Sequence, residues 1–228
     1  MRLRLTVLSI ITLFCSTGVA QEPSSPRPKP TLTNDDVRLA KAANLAAKQY
    51  VTGNEIVRLL EQTQSFRSHA IIDERDYLES DIEVVTPDRF RFINHVGEPG
   101  GHIETEQLIA VHSFVYSLSR GATRWRQTVF NDDLNTARRY VLYFLPWFFS
   151  VRLKAHGLET VDGVEVLRYE LDEGSQGANA QPQGLKVWVR VVDGLPLKII
   201  LDNKERRTRY NVTFRDYNQP LRIEPPAM

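Results

Sequence analysis

Apolar positions along this 228-residue chain change their period several times, and each change predicts an element. Leu5 to Phe14 is a mostly apolar run that follows Arg2 and Arg4 and precedes Gly18, Val19 and Ala20. That is the basic, apolar and small-residue order of a cleaved export signal. The run is too short to cross a bilayer of roughly 30 Å as a helix, so residues 1–20 are read as a signal peptide. Glu22 to Pro30 carries four prolines in nine residues. Proline fixes φ and removes a backbone donor, which makes residues 21–32 an extended linker. The folded domain is expected over residues 33–228.

Two helices come first in it. Thr33 with Asp36 fits a capping pattern ahead of Leu39, Ala42, Ala43, Ala46 and Ala47 at helical spacing. Thr52 with Glu55 repeats that pattern ahead of Ile56, Leu59, Leu60 and Thr63. From about Ser65 the period falls to two. Phe90 and Phe92 alternate with Arg89, Arg91 and Ile93, and Ile103, Thr105, Ile109 and Val111 alternate with Glu104 and Glu106. Phe114, Tyr116 and Leu118 alternate with Ser113, Ser117 and Ser119. Each alternation predicts a strand with one apolar and one wet face. Turn chemistry separates the runs at 97–101, at Arg120-Gly121 and at Asp193-Gly194.

A helical segment interrupts the strands. Asn131, Asp132 and Asp133 supply an N-cap and an acidic first turn, and Leu134, Ala137, Val141, Phe144 or Leu145, and Phe148 recur at helical spacing. Its end, Tyr140 to Phe149, is apolar on every side and holds six of the 21 aromatic residues, and Pro146 should kink or end it. Strands are expected to resume over Val164–Leu171, Leu185–Val192, Leu195–Leu201 and Arg206–Asp216, with a Gly- and Gln-rich loop over 173–184. Short hairpin connections imply a largely antiparallel sheet. A sheet this long must curl and have its apolar face covered, and the aromatic helix is the obvious cover. The expected class is α+β, rich in β.

Composition removes some functions. The 29 basic and 28 acidic residues give a net charge of +1, without the basic excess of a nucleic-acid binder. Loss of the signal leaves 27 basic against 28 acidic residues, a net of −1, and takes away Cys15, the only cysteine. No disulfide or cysteine-based zinc cluster is then possible. Lipid attachment at Cys15 needs a small residue before it, and Phe14 is bulky.

Candidate chemistry is sparse. His102, Glu104 and Glu106 share one strand face and could ligate a metal or serve acid–base catalysis in a small hydrolase, although a solvated strand face has the same pattern. His69, His95, His112 and His156 have no ligand spacing, and no nucleophile-elbow, phosphate-loop or dinucleotide motif occurs. Asp73, Asp76 and Asp81 could supply paired carboxylates, although strand-end surface charge has the same pattern, and Asn211-Val212-Thr213 is a sequon inside a predicted strand. Arg124 and Arg126 around Trp125, and Arg206, Arg207 and Arg209 beside Tyr210, read as polar strand faces or as contacts for lipid headgroups or an acidic partner. The aromatic stretch 140–149 exceeds what one helix face needs to pack on a sheet, so it reads either as core or as a lid over an apolar cavity.

The export signal, the N-terminal helix, Val84-Val85-Thr86-Pro87-Asp88-Arg89-Phe90-Arg91 and a strand ending in Phe114-Val115-Tyr116 resemble the LolA/LolB superfamily of lipoprotein carriers. Gly121 to Thr128, Asp193-Gly194-Leu195-Pro196-Leu197-Lys198-Ile199 and Asp216 to Pro226 are similar to its LppX-type lipid-binding branch. The resemblance implies a curled antiparallel half-barrel, helices across its concave face, an apolar cavity for acyl chains, and neither catalysis nor a cofactor. It places Phe90, Phe92, Phe114 and Tyr116 at inward strand positions and Phe144, Leu145 and Phe148 on the covering helix. Leu118, Val141, Val187, Val189, Tyr210, Val212 and Phe214 complete the expected lipid-binding set. Thr86 stands where the lipoprotein carrier has an arginine that helps fasten the lid, which separates lipid binding from energy-coupled lipoprotein hand-over.

The functional expectation is an exported, monomeric periplasmic carrier of a lipid or acylated lipoprotein, served by a membrane donor or acceptor protein. The alternatives are an envelope sensor of misplaced lipoproteins and a small periplasmic hydrolase or metal enzyme.

Overall fold

The computed structural model describes residues 48–73, 77–97, 104–129, 138, 140, 145–172, 184–203 and 208–227. The predicted signal, linker and first helix lie outside these residues, as do most of the predicted aromatic helix and the 173–183 loop.

The period-two runs form one antiparallel sheet of 12 strands. In chain order these are β1 (Tyr50–Thr52), β2 (Ser65–Asp73), β3 (Tyr77–Val85), β4 (Arg89–Gly97), β5 (Glu104–Val111), β6 (Phe114–Leu118) and β7 (Arg126–Val129). After the 3₁₀ turn Pro146–Ser150 come β8 (Arg152–Val161), β9 (Val164–Leu171), β10 (Leu185–Arg190), β11 (Pro196–Asn203) and β12 (Thr208–Arg215). Helix α1 (Gly53–Leu60) follows β1 directly. The spatial order is β1-β8-β9-β10-β11-β12-β2-β3-β4-β5-β6-β7. The late strands therefore pair into the early ones through β12 and β2, from Arg209 against Asp73 to Arg215 against Arg67.

Curvature follows from the core. Buried residues of ten strands, from Val51 of β1 to Ala110 of β5, join α1, Leu145 and Phe148 in one cluster. Ten flat strands at about 4.8 Å spacing would extend over roughly 45 Å, whereas an eight-residue helix is about 12 Å long. One short helix touches a single continuous core only if the sheet wraps around it. The fold is a curled, open α+β half-barrel, with β1 and β7 at its edges.

Two strands escape the periodicity. β1 has three residues, too few for a pattern. β8 is largely exposed beyond Ala155 and carries a register shift between Ala155 and Gly157, which breaks its alternation. The predicted aromatic helix does not run to Phe148, in keeping with the expectation that Pro146 kinks or ends it. Arg138 and Tyr140 are helical, but Leu145 is not, and Pro146 opens a separate 3₁₀ turn because its ring cannot continue a helix.

Candidate apolar binding face

Helix α1 lies on the concave, inner face because its two ends are fastened. Thr52 caps it by accepting from the Glu55 amide, while Glu55 accepts from the Thr52 amide at 2.7 Å. Burial alone would raise the Glu55 pKa, but hydrogen bonds from Lys48 and Thr52 outweigh it and hold the carboxyl below its ordinary value. Ile56, Val57, Leu59 and Leu60 are buried against the sheet. Gly53 is required by close approach: a Cβ there would stand 1.8 Å from the Phe148 carbonyl oxygen. The start of α1 thus abuts the 3₁₀ turn, and the Gly53 amide donates to the Val151 carbonyl at 3.1 Å.

The segment around that turn is tied down at both ends. Arg138 Nε donates to Glu61 Oε1 at 2.5 Å, and its guanidinium stacks 5.4 Å from the Phe149 ring centre. Tyr140 is fully buried, with its ring against Phe66 at 5.7 Å and Phe214 at 6.0 Å. Its phenol shares a 2.9 Å hydrogen bond with Ser68, and burial pushes its pKa well up, so it stays neutral. Leu145 and Phe148 are buried beneath the turn, while the half-buried Trp147 meets Tyr210 edge-on at 6.0 Å.

Of the sequence-predicted lipid-binding residues, Phe90 and Phe92 stack at 4.7 Å on the inner face. Val187, Val189, Val212 and Phe214 are buried in the same cluster, with Tyr210 half-buried beside it. Val141 and Phe144 lie outside the described residues. Phe114, Tyr116 and Leu118 are corrected: they belong to the convex, outer face. Tyr116 opposes Ile109 and Phe114 opposes Val111, while it is Val115 that packs against the inner cluster. The reason is that β5 is apolar on both sides. Leu108 and Ala110 face inward, whereas Ile109 and Val111 face a second cluster with Tyr116, Trp125, Val85 and Ile223. Period two alone cannot say which apolar face of such a strand is concave.

That second cluster is closed by the C-terminal tail, a cover with no periodic signal. Ser65 donates to the Gln219 carbonyl at 2.5 Å, the Asn218 amide to the Ser65 carbonyl at 2.8 Å, and Arg89 to the Ile223 carbonyl at 3.2 Å. Thr86 donates to the carbonyls of Thr63 and Gln64, linking the β3–β4 turn to the chain after α1. Ile72 and Leu78 were not singled out by sequence reasoning, and Tyr140 and Trp147 only as members of the aromatic stretch 140–149. Ile72 and Leu78 oppose each other across β2 and β3 and are half-buried at the edge of the inner core.

The inner face is not wholly apolar. Ser80 donates to Asn94 Oδ1 at 2.7 Å, both buried, and Asn94 pairs with Glu106 of β5. Glu106 therefore lies on the inner face and not on a solvated one. His102 and the Glu104 side chain fall outside the described residues, among which no group of three His, Cys, Asp or Glu could hold a metal ion. His69 meets Asp81 at 3.1 Å and Glu79 at 3.5 Å, and His156 meets Glu170 at 3.2 Å. Arg124, Arg126 and Arg209 are exposed, while Arg206, Arg207 and Asp76 are outside the described residues. No described helix is long and apolar enough to cross a membrane.

No family model and no curated protein matches the chain. Among solved structures it is similar to an uncharacterized conserved protein from Thermus thermophilus, at 9% identity and TM-score 0.42 over 82% of this chain and 90% of that one. It is also similar to a LolA superfamily protein from Nitrosomonas europaea, at 10% identity and TM-score 0.29 over 86% and 96%. MucB is similar at 13% identity and TM-score 0.42, over 84% of this chain and 64% of MucB. At these identities and scores, what the chain does must be read from its own residues.

Proposed function

We propose that this chain is an exported, monomeric, non-catalytic binding protein of the periplasm that holds acyl chains of a lipid or acylated lipoprotein against the inner face of its half-barrel. The observation that carries the reading is the rim of that face. The apolar core continues past its buried centre onto half-buried Ile72, Leu78, Tyr210 and Trp147. Half-buried residues that also touch one another, as Trp147 and Tyr210 do, offer an acyl chain a continuous apolar rim to cover. Burial supplies the driving force. A sixteen-carbon chain at about 0.8 kcal/mol per methylene gives an upper bound near 12 kcal/mol before ordering costs. A membrane protein would serve as donor or acceptor.

Native mass spectrometry of gently purified protein tests the reading: co-purified lipid is expected, and a clean apo mass would count against it. Trp147→Asp sharpens the result. Trp147 is half-buried at the rim, so the variant should keep its melting temperature within a few degrees and lose lipid. Phe148→Asp, with Phe148 at 1% exposure, should unfold the domain because an unpaired charge is costly to bury.

A further inference from the structure

Across β2 to β5 one row of the inner face runs Ala70, Ser80, Asn94, Glu106. The rows beside it are mostly apolar: Ser68, Ile82, Phe92 and Leu108 on one side, and Ile72, Leu78, Val96 and Glu104 on the other. A polar row amid mostly apolar ones must satisfy its groups or find a partner for them. Ser80 is fully buried and satisfied, since its hydroxyl donates to Asn94 Oδ1. Asn94 is 6% exposed. A primary amide carries two N–H donors as well as its oxygen; among the described residues those donors meet no acceptor, and their nitrogen is not one of the atoms buried away from solvent without a partner. Glu106, half-buried beside it, makes no hydrogen bond or ion pair among the described residues. A carboxylate accepts only, and it is bound best by a cationic donor.

We infer that Asn94 and Glu106 form a headgroup site for an acyl amphiphile that presents an acceptor oxygen next to an ammonium group. The inference rests on the acyl-binding reading above. Directly paired residues on neighbouring strands stand about 5 Å apart, a distance that an ethanolamine-type headgroup spans. The Asn94 amide donates to an ester or phosphate oxygen, Glu106 accepts from the ammonium, and the apolar residues of the flanking rows take the chain. Headgroup selectivity then comes from the row in which a buried amide and a carboxylate stand side by side.

The test is a titration of lysophosphatidylethanolamine and lysophosphatidylglycerol with identical acyl chains, below their micelle concentrations, using wild type, Glu106→Gln and Asn94→Leu. Wild type should bind the ethanolamine lipid at least fivefold more tightly. Glu106→Gln should abolish that preference and leave the glycerol lipid unchanged, and Asn94→Leu should weaken the ethanolamine lipid by a similar factor. Glu106→Gln conserves side-chain volume, Asn94→Leu keeps the branched shape in a larger side chain, and the wild-type comparison needs neither variant. Equal wild-type affinity for the two lipids, or a preference that survives Glu106→Gln, overturns this site and leaves acyl binding standing. Failure of wild type to bind either lipid overturns the carrier reading with it.

Discussion

Phe66 and Arg67 are neighbours on β2 and belong to opposite faces of the sheet. Phe66 is fully buried, its ring 5.7 Å from Tyr140, 6.1 Å from Phe214 and 6.1 Å from Tyr217. Arg67 is ion-paired to Glu83 at 3.0 Å and to Asp216 at 3.1 Å, with 37% of its side chain exposed. The inner face is held by contact area that water cannot replace. The outer face is held by charges that water can solvate, together with one small apolar cluster under the C-terminal tail. Alternation along the strand is the same on both sides; what covers each side decides the energetics.

The largest expected effect tests the inner side. Phe66→Ala should cost about 3–5 kcal/mol, because three ring contacts and the transfer term are lost together. A urea midpoint lowered at constant slope would register it, and a loss under 1 kcal/mol would contradict a continuous inner core. Ile223→Ala tests the outer cluster. Ile223 is 2% exposed, and its truncation should cost about 2 kcal/mol. An unchanged midpoint would mean that the tail lies on the sheet without stabilising it. Thr52→Ala removes the α1 cap and should cost about 1 kcal/mol. The cap also predicts a pH dependence. The Glu55 carboxyl is held below its ordinary value in the folded state, so its contribution is present above the unfolded pKa of about 4.3 and is lost as pH falls through the folded value. Lys48→Ala, which removes the largest of the bonds that lower the Glu55 pKa, should therefore flatten that part of the acid limb more than Thr52→Ala, which leaves the backbone bond in place.

The strands were legible because alternation survives wherever one face is wet. β9 runs over the residues expected, Val164–Leu171, and the Thr52–Glu55 capping box is present at the start of α1. The strand face was legible for β4 and β12, where Phe90, Phe92, Val212 and Phe214 oppose charged or polar neighbours. It was not legible for β5 and β6, where Leu108 to Val111 is apolar throughout. The tail that makes the second face apolar is separated from those strands by about a hundred residues and has no period. Asn94 carried no signal in the sequence, and Glu106 read with His102 and Glu104 as a metal or acid–base candidate or a solvated face, until register set Glu106 beside Asn94 on the inner side.

The smallest effect is the most discriminating about the outer face. Arg67 sits between Glu83, which also binds Arg91 at 2.5 Å, and Asp216 at the root of the tail. Exposed ion pairs contribute about 0–1 kcal/mol, since solvent screens the attraction and two long side chains lose freedom. Arg67→Ala should accordingly lower stability by less than about 1 kcal/mol, against several for Phe66 one residue away, and added salt should shrink the difference further. A larger loss that persists in salt would mean that Arg67 acts through the tail, by holding Asp216 and with it Ile223 in place. In that case Arg67→Ala and Ile223→Ala should be non-additive, because the second substitution would remove a contact already released by the first. Strict additivity, with a small salt-sensitive loss for Arg67→Ala, would leave the outer charges as local fastening and the apolar faces as the source of stability.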